Sequence, residues 1–311
     1  MGKAMRDVYG ESLAKYGAEN KKVVVLDADL SSSSRTSKFG AVAPDRLFNM
    51  GIAEAGMVAA GAGFASCGFI PFVNTFATLA DSMCYLCTKA MIAYSGLNVR
   101  IVGSNNGVGG AYDGSTHHTL DDLSVMKNVP EMLVMTPSDP VMAEWMIKTL
   151  IEDYTGPAYL SMERTEAENI YDDASGMEIG KNIKLRSGKD AAIFACGLSV
   201  ARSLKAAKIL EEEGINVAVY DCFTIKPFDT ASVEDALKET KNIVTVEEHS
   251  VVGGLGSLVL EAVAQAGIAA NVKKVGFDDC FTESGSYGEL IEKYGLSAKA
   301  IAEAVKATMK G

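Results

Sequence analysis

With 311 residues, the chain is about twice the most common domain size, so two domains of roughly 150 residues each are expected. Apolar residues at 48% and charged residues at 22% are ordinary globular values, and they exclude a disordered chain, a collagen-like repeat and a disulfide-rich miniprotein. A formal net charge of -11 repels phosphate backbones and anionic lipid, so neither nucleic acid nor a membrane is an expected partner; only a local basic pocket could hold an anion.

Apolar β-branched runs alternate with helical patterns along the whole length, which predicts an α/β fold built on mostly parallel sheets flanked by helices. The start, MGKAMRDVYGESL, has no apolar core of signal-peptide length, and a cytoplasmic protein is expected. In the first half the predicted strands are 22–27, 69–73, 99–103, 132–136 and 158–162. Residues 164–188 then lose both periods and are rich in charge and turn residues. The second half restarts with predicted strands 190–196, 215–221, 242–248 and 271–277, a second and smaller parallel sheet. The expected organisation is a first domain over 1–168, a linker over 169–188 and a second domain over 189–311.

The six cysteines lack the spacing of a disulfide framework and are expected to be small core residues in a reducing compartment. Cys84 and Cys87 form a C-x-x-C, but inside a helical apolar pattern. No set of four ligands for zinc is evident, so no metal is expected on this chain.

From Leu47 to Ala80 the only charged residue among 34 is Glu54. Glycines, Pro71 and Asn74 interrupt this stretch, which predicts a buried helix, turn and strand in place of a membrane span. A carboxylate there is costly unless paired and tends to hold its proton. Two readings stand side by side: a functional acid, or a glutamate bonded to a helix N-terminus. Residues 103–122, GSNNGVGGAYDGSTHHTLDD, follow a predicted strand, where open α/β sheets bind ligands. They hold His117 and His118 beside Asp113. The glycines do not fit G-x-G-x-x-G, because Tyr112 takes the last glycine position, and the chain has no phosphate-binding G-x-x-x-x-G-K-[ST].

Taken together, the blocks VVVLDADLSSSS, FNMGIAEAGMVAAGAGFASCGFIPFVNTFATL, VGSNNGVGGAYDGSTHHTLDDLSVMKNVPEMLVMTPSD, TIKPFD, EEHSVVGGLGS and FTESGSYGELIEKYGLS resemble the C-terminal half of the transketolase family, from about Arg6 to about Val305. The resemblance implies a pyrimidine-binding domain for thiamine diphosphate followed by the family's C-terminal domain. The family's diphosphate domain, with its Gly-Asp-Gly and a downstream Asn, has no match.

The resemblance therefore implies the C-terminal subunit of a split enzyme that transfers a two-carbon ketol unit between sugar phosphates in pentose phosphate metabolism. The implied partner is an N-terminal subunit carrying the diphosphate-binding domain and most ligands of a Mg²⁺ or Ca²⁺ ion, in a two-plus-two assembly with a homodimer of this chain. It also implies roles. Glu54 stands where the family places the glutamate that bonds the aminopyrimidine, Phe76 where an aromatic stacks on that ring, and Asp29 where an acidic residue lies near the cofactor and subunit contact. Arg6, Ser33 and Arg164 match residues that hold the substrate's phosphate; Asp113 matches a hydroxyl-binding aspartate and His117 a histidine at the ketose end. Asn105, also at the substrate, replaces a histidine or arginine, and Leu79 and Ser82 replace aromatics. A β subunit of a 2-oxoacid dehydrogenase first component and a non-catalytic paralogue are the alternative expectations.

Overall fold

The computed structural model describes residues 2–310. Twelve strands are found in them: β1 (Val23–Asp27), β2 (Leu47–Asn49), β3 (Ile70–Phe76), β4 (Arg100–Ser104), β5 (Leu133–Met135), β6 (Ala158–Met162), β7 (Ile183–Arg186), β8 (Ala191–Ala195), β9 (Val217–Asp221), β10 (Thr224–Lys226), β11 (Asn242–Ser250) and β12 (Asn271–Phe277). They form a seven-stranded sheet in the order β10-β5-β6-β4-β3-β1-β2 and a five-stranded sheet in the order β12-β11-β8-β9-β7. All pairings are parallel except β10 with β5 and β7 with β9. The central strands β1, β4, β6, β8 and β9 are buried at every residue, as strands covered by helices on both faces must be.

Three strands escape a reading by hydrophobic period. β2, β7 and β10 have three or four residues each, too few for alternation to register. All three lie at sheet edges, where half-exposed polar residues are tolerated. The stretch 169–188, expected as a linker, accordingly ends in the edge strand β7. β10 leaves the second half of the chain and closes the edge of the first sheet, pairing Thr224 with Met135 and Lys226 with Val134. One apolar core includes residues of both sheets, from Val24 and Val73 to Phe194 and Tyr220.

The helix Glu54–Ser66 packs on β3 through Gly61, where a Cβ would lie 2.7 Å from Val73 Cγ2. It is not buried all round, as its uncharged sequence suggested: Gly56, Gly63 and Ser66 are exposed. Cys84, Cys196 and Cys222 are core residues, but Cys67 and Cys280 are exposed. Cys67 follows the helix at a surface turn and Cys280 follows β12 in a loop, so apolar neighbours in sequence did not give them an apolar environment. No described helix is long and apolar enough to cross a membrane.

β1, β3, β4, β5 and β6 run parallel, so their C-terminal ends share one edge of the sheet. The loops there carry Asp29, Asn105 and Arg164, while Phe76 ends β3 itself.

Candidate functional site

Glu54 is the first residue of the helix Glu54–Ser66 and only 8% exposed. Its carboxylate takes no hydrogen bond from the helix N-terminus or from any other described group. The reading in which the helix end satisfies Glu54 is therefore not what the structure contains. The residue is nearly buried, but its carboxylate oxygens are not among the buried atoms left without a partner: water reaches them, and a group that can bond to them would take that water's place. Its negative charge reaches the buried Cys84, whose thiol is pushed up to about 12, chiefly by burial and next by Glu54.

Phe76 is half-buried at the end of β3, and the edge of its ring meets His117 at 5.7 Å between centroids and 66°. His117 closes a short turn, Ser115–His117, with Nδ1 3.1 Å from Thr116 Oγ1. The next histidine does something different. His118 is buried, with Nδ1 2.7 Å from Thr282 Oγ1 and Nε2 3.2 Å from the Ala111 carbonyl; burial lowers its pKa. It ties the loop to the second half of the chain.

Asn105 follows β4 in a left-handed conformation, φ 62°, and is buried with Nδ2 unpartnered. A strained backbone and an orphaned donor at one residue are features that cluster at ligand sites. Leu79 is half-buried and Ser82 exposed, so the aromatic walls absent from the sequence are not supplied at those positions.

The candidate anion ligands do not all meet. Arg164, just beyond β6, reaches Asp113 with Nη1 3.3 Å from Oδ2. Arg6 lies on the helix Met5–Ser12 with a buried, unpartnered Nε; burial and then the charges of Arg35 and Arg164 lower its pKa. Arg6 is thus close enough to two other guanidinium groups to be repelled by both, an arrangement that suits an anion. Arg35 is the member that sequence reasoning missed, although it directly follows the serine run. It has φ 67°, and its Nε lies 3.0 Å from Asp7 Oδ1. Ser33 makes no hydrogen bond to these arginines; its neighbour Ser34 lines a cavity of about 10 Å³ with Arg6, Asn74 and Ser104. Buried Asp27 holds the serine turn in place, accepting from Ser34 Oγ at 2.9 Å and Thr36 Oγ1 at 2.8 Å. Asp29, exposed at φ 62°, accepts from Asn49 Nδ2 at 2.8 Å and touches none of the other candidates. A wider cavity of about 430 Å³ opens between Thr78, Ser82, Ser115 and Thr116 on one side and Asp278 and Phe281 on the other.

Residues 1–169 match the family model for the transketolase pyrimidine-binding domain, and residues 180–301 match that for the transketolase C-terminal domain. A "Putative transketolase C-terminal section" of Methanocaldococcus jannaschii is 38% identical over 99% of this chain and 97% of its own length. A 6-deoxy-6-sulfo-D-fructose transketolase subunit of a Clostridium species is 36% identical over 96% and 92% of the two chains. Among solved structures, a split-gene transketolase described as an inactive β4 tetramer superposes with a TM-score of 0.90 at 38% identity, covering 100% of this chain and 99% of that one. The transketolase of Campylobacter jejuni shares the fold, with a TM-score of 0.82 at 21% identity over 98% of this chain and 46% of that one. The chain therefore belongs to the transketolase family, as its paired pyrimidine-binding and C-terminal domains.

Proposed function

We propose that this chain, the C-terminal subunit of a split transketolase, transfers a two-carbon ketol unit between sugar phosphates together with a separate diphosphate-binding subunit. The observation that carries this reading is Glu54: a nearly buried carboxylate, at a helix start, that no described group satisfies. Asn105 Nδ2 is buried without a partner. A thiamine diphosphate pyrimidine fits Glu54 and Phe76, because its ring nitrogen takes a carboxyl partner and its face takes an aromatic one, while the free Asn105 N–H suits an oxygen of the substrate. When bound, thiamine diphosphate supplies the carbanion chemistry of its thiazolium carbon.

The chain's own residues bind, orient and move protons. Glu54 holds a proton at ring nitrogen N1′, the general acid–base role of the site. Phe76 covers the ring face, and its contact with His117 sets that imidazole toward the ketose end. Arg6 and Arg164, with Ser33, hold the phosphate, and Asp113 holds a substrate hydroxyl. The pair Arg164–Asp113 must loosen for an anion to take the guanidinium. Asn105 supplies a neutral donor where a cation would attract the phosphate more strongly. Asp29 faces the cofactor's subunit boundary.

The assembly reading rests on apolar surface. Ile52, Met83, Leu86 and Tyr94 are 83%, 61%, 75% and 90% exposed, a concentration that marks a protein interface more than a free surface. We place two copies of this chain across it, with the partner subunit bringing the Mg²⁺ or Ca²⁺ ligands, in the cytoplasm. The test is reconstitution with an N-terminal subunit bearing Gly-Asp-Gly and a downstream Asn, followed by assay of ketol transfer from a ketose phosphate to an aldose phosphate. Transfer only in the mixture supports the reading; cleavage of a 2-oxoacid, or silence in the assembled complex, favours the dehydrogenase subunit or the non-catalytic paralogue.

A further inference from the structure

The loop 105–119, which carries Asp113 and His117, lies between two carboxyl groups from different sheets. Glu163 ends the β6 region and is 4% exposed; its Oε1 accepts from the Arg164 N–H at 2.6 Å and the Thr165 N–H at 3.3 Å. Gly109 sits against it so closely that a Cβ would fall 2.1 Å from that oxygen. Glu248 lies on β11. Its Oε1 accepts from Arg202 Nη2 at 2.6 Å and Tyr287 Oη at 2.7 Å, while its Oε2 is buried with no partner. Gly107, at φ 58°, would place a Cβ 3.0 Å from that Oε2. Both carboxyl groups line one cavity of about 20 Å³, room for about one water molecule.

Two carboxylates around one small cavity cannot both ionise cheaply. The charged and titratable groups on the surrounding elements do not supply a second neutralising cation. The helix Ser199–Glu212 presents Arg202, already bonded to Glu248 Oε1, and the helix Tyr287–Lys293 presents Tyr287. The helix Asp122–Lys127 presents Asp122, and the turn after β8 presents Cys196. Arg164 directs its guanidinium to Asp113.

We propose that Glu163 keeps a proton and shares it with the orphaned Oε2 of Glu248, directly or through one cavity water, and that this hydrogen bond fastens the 105–119 loop between the two sheets. Glu163 is pushed up to about 8, by burial first and by the charge of Glu248 second. Both glutamates are positioning residues. Two further bonds follow the same path: Asn106 Nδ2 donates to Ser161 Oγ at 2.8 Å, and Ser250 N donates to the Leu120 carbonyl at 2.7 Å. The fastening itself does not rest on the catalytic reading; only its effect on turnover does.

The experiment is hydrogen exchange of the 105–119 amides in the full chain from about pH 6 to about pH 9, corrected for the intrinsic rate. Protection is expected to fall about tenfold as pH rises through about 8. Asp81, pushed up to about 9, titrates in the same range, so the comparison is native against variant. Glu163→Gln keeps a donor without a charge and should abolish the step. Should that variant not fold, Glu248→Gln carries the same test: Glu163 loses its like-charged neighbour, and the step should move down by about one pH unit or more. A step that survives unchanged in either folded variant overturns the proposal. In the reconstituted enzyme the kcat profile should show the same step; its absence there, with the exchange step intact, counts against the catalytic reading alone.

Discussion

Glu54 shows how much one residue's surroundings can say. Its isolation from other charges is visible in sequence, and its lack of a bonding partner is visible only once the helix end is built. Glu54→Gln in the assembled enzyme should leave the fold intact and lower turnover by about 10² to 10⁴, the usual worth of acid–base assistance. Proton exchange at the thiazolium carbon, followed by NMR, should slow in parallel; unchanged exchange would reduce Glu54 to a packing residue. The arginines fail differently. Loss of Arg6 or Arg164 should raise KM for a phosphorylated sugar far more than it lowers kcat, because the phosphate clamp proposed for them would hold substrate alike in ground and transition states. Steady-state kinetics with the phosphorylated sugar and its unphosphorylated analogue decides this, and equal KM changes for both substrates would remove the phosphate clamp. Arg35 and Glu163 were illegible as site features because their significance comes from what they meet: Arg6 across the serine turn, and Glu248 across the sheet boundary.

Single elements fasten the two halves together, and these were the hardest to read. Nine strands lie within or overlap the apolar runs that announce them, whereas β10 has only Thr224–Lys226 to announce it. Around it, Asp139 caps the helix Pro140–Glu152 through Met142 N at 2.8 Å and also accepts from Ile170 N at 2.9 Å and Tyr171 N at 3.0 Å. One side chain thus orders both a helix start and the chain leaving the first sheet. Asp139→Ala should cost about 2–4 kcal/mol, the cap together with two stranded buried donors, measured by urea unfolding. Nearby, Asp221 at the end of β9 accepts from Tyr171 Oη at 2.7 Å and from Ser138 Oγ. Burial pushes it up to about 7. A carboxyl raised in the folded state contributes stability below its unfolded value of about 3.9 and loses it as pH rises through the folded one. Asp221→Asn should therefore flatten the dependence of stability on pH between about 4 and 7, leaving the Glu163 step above it in place; an unchanged slope would place the proton elsewhere.

At the scale of the molecule, the sequence made two domains of the family legible in order. What it did not reveal is the surface they leave exposed. The uncharged stretch around Glu54 was expected to be buried, yet its helix is open on one side and Ile52 stands out beside it. A chain of net charge -11 resists indiscriminate aggregation, so such a surface points to defined subunit contacts. The solved relative is described as an inactive β4 tetramer. For the purified chain we expect self-association, weak thiamine diphosphate binding and no ketol transfer, because the roles proposed for Glu54 and Phe76 reach only the pyrimidine end. Sedimentation of the native chain beside Leu86→Glu and Tyr94→Glu tests the surface, and both variants should shift toward monomer without loss of helix. Titration calorimetry with Mg²⁺ present tests the division of labour. Weak binding that tightens about a hundredfold or more on adding the diphosphate-binding subunit fits a cofactor held from both ends; tight binding by the chain alone would show that it already contains the diphosphate site.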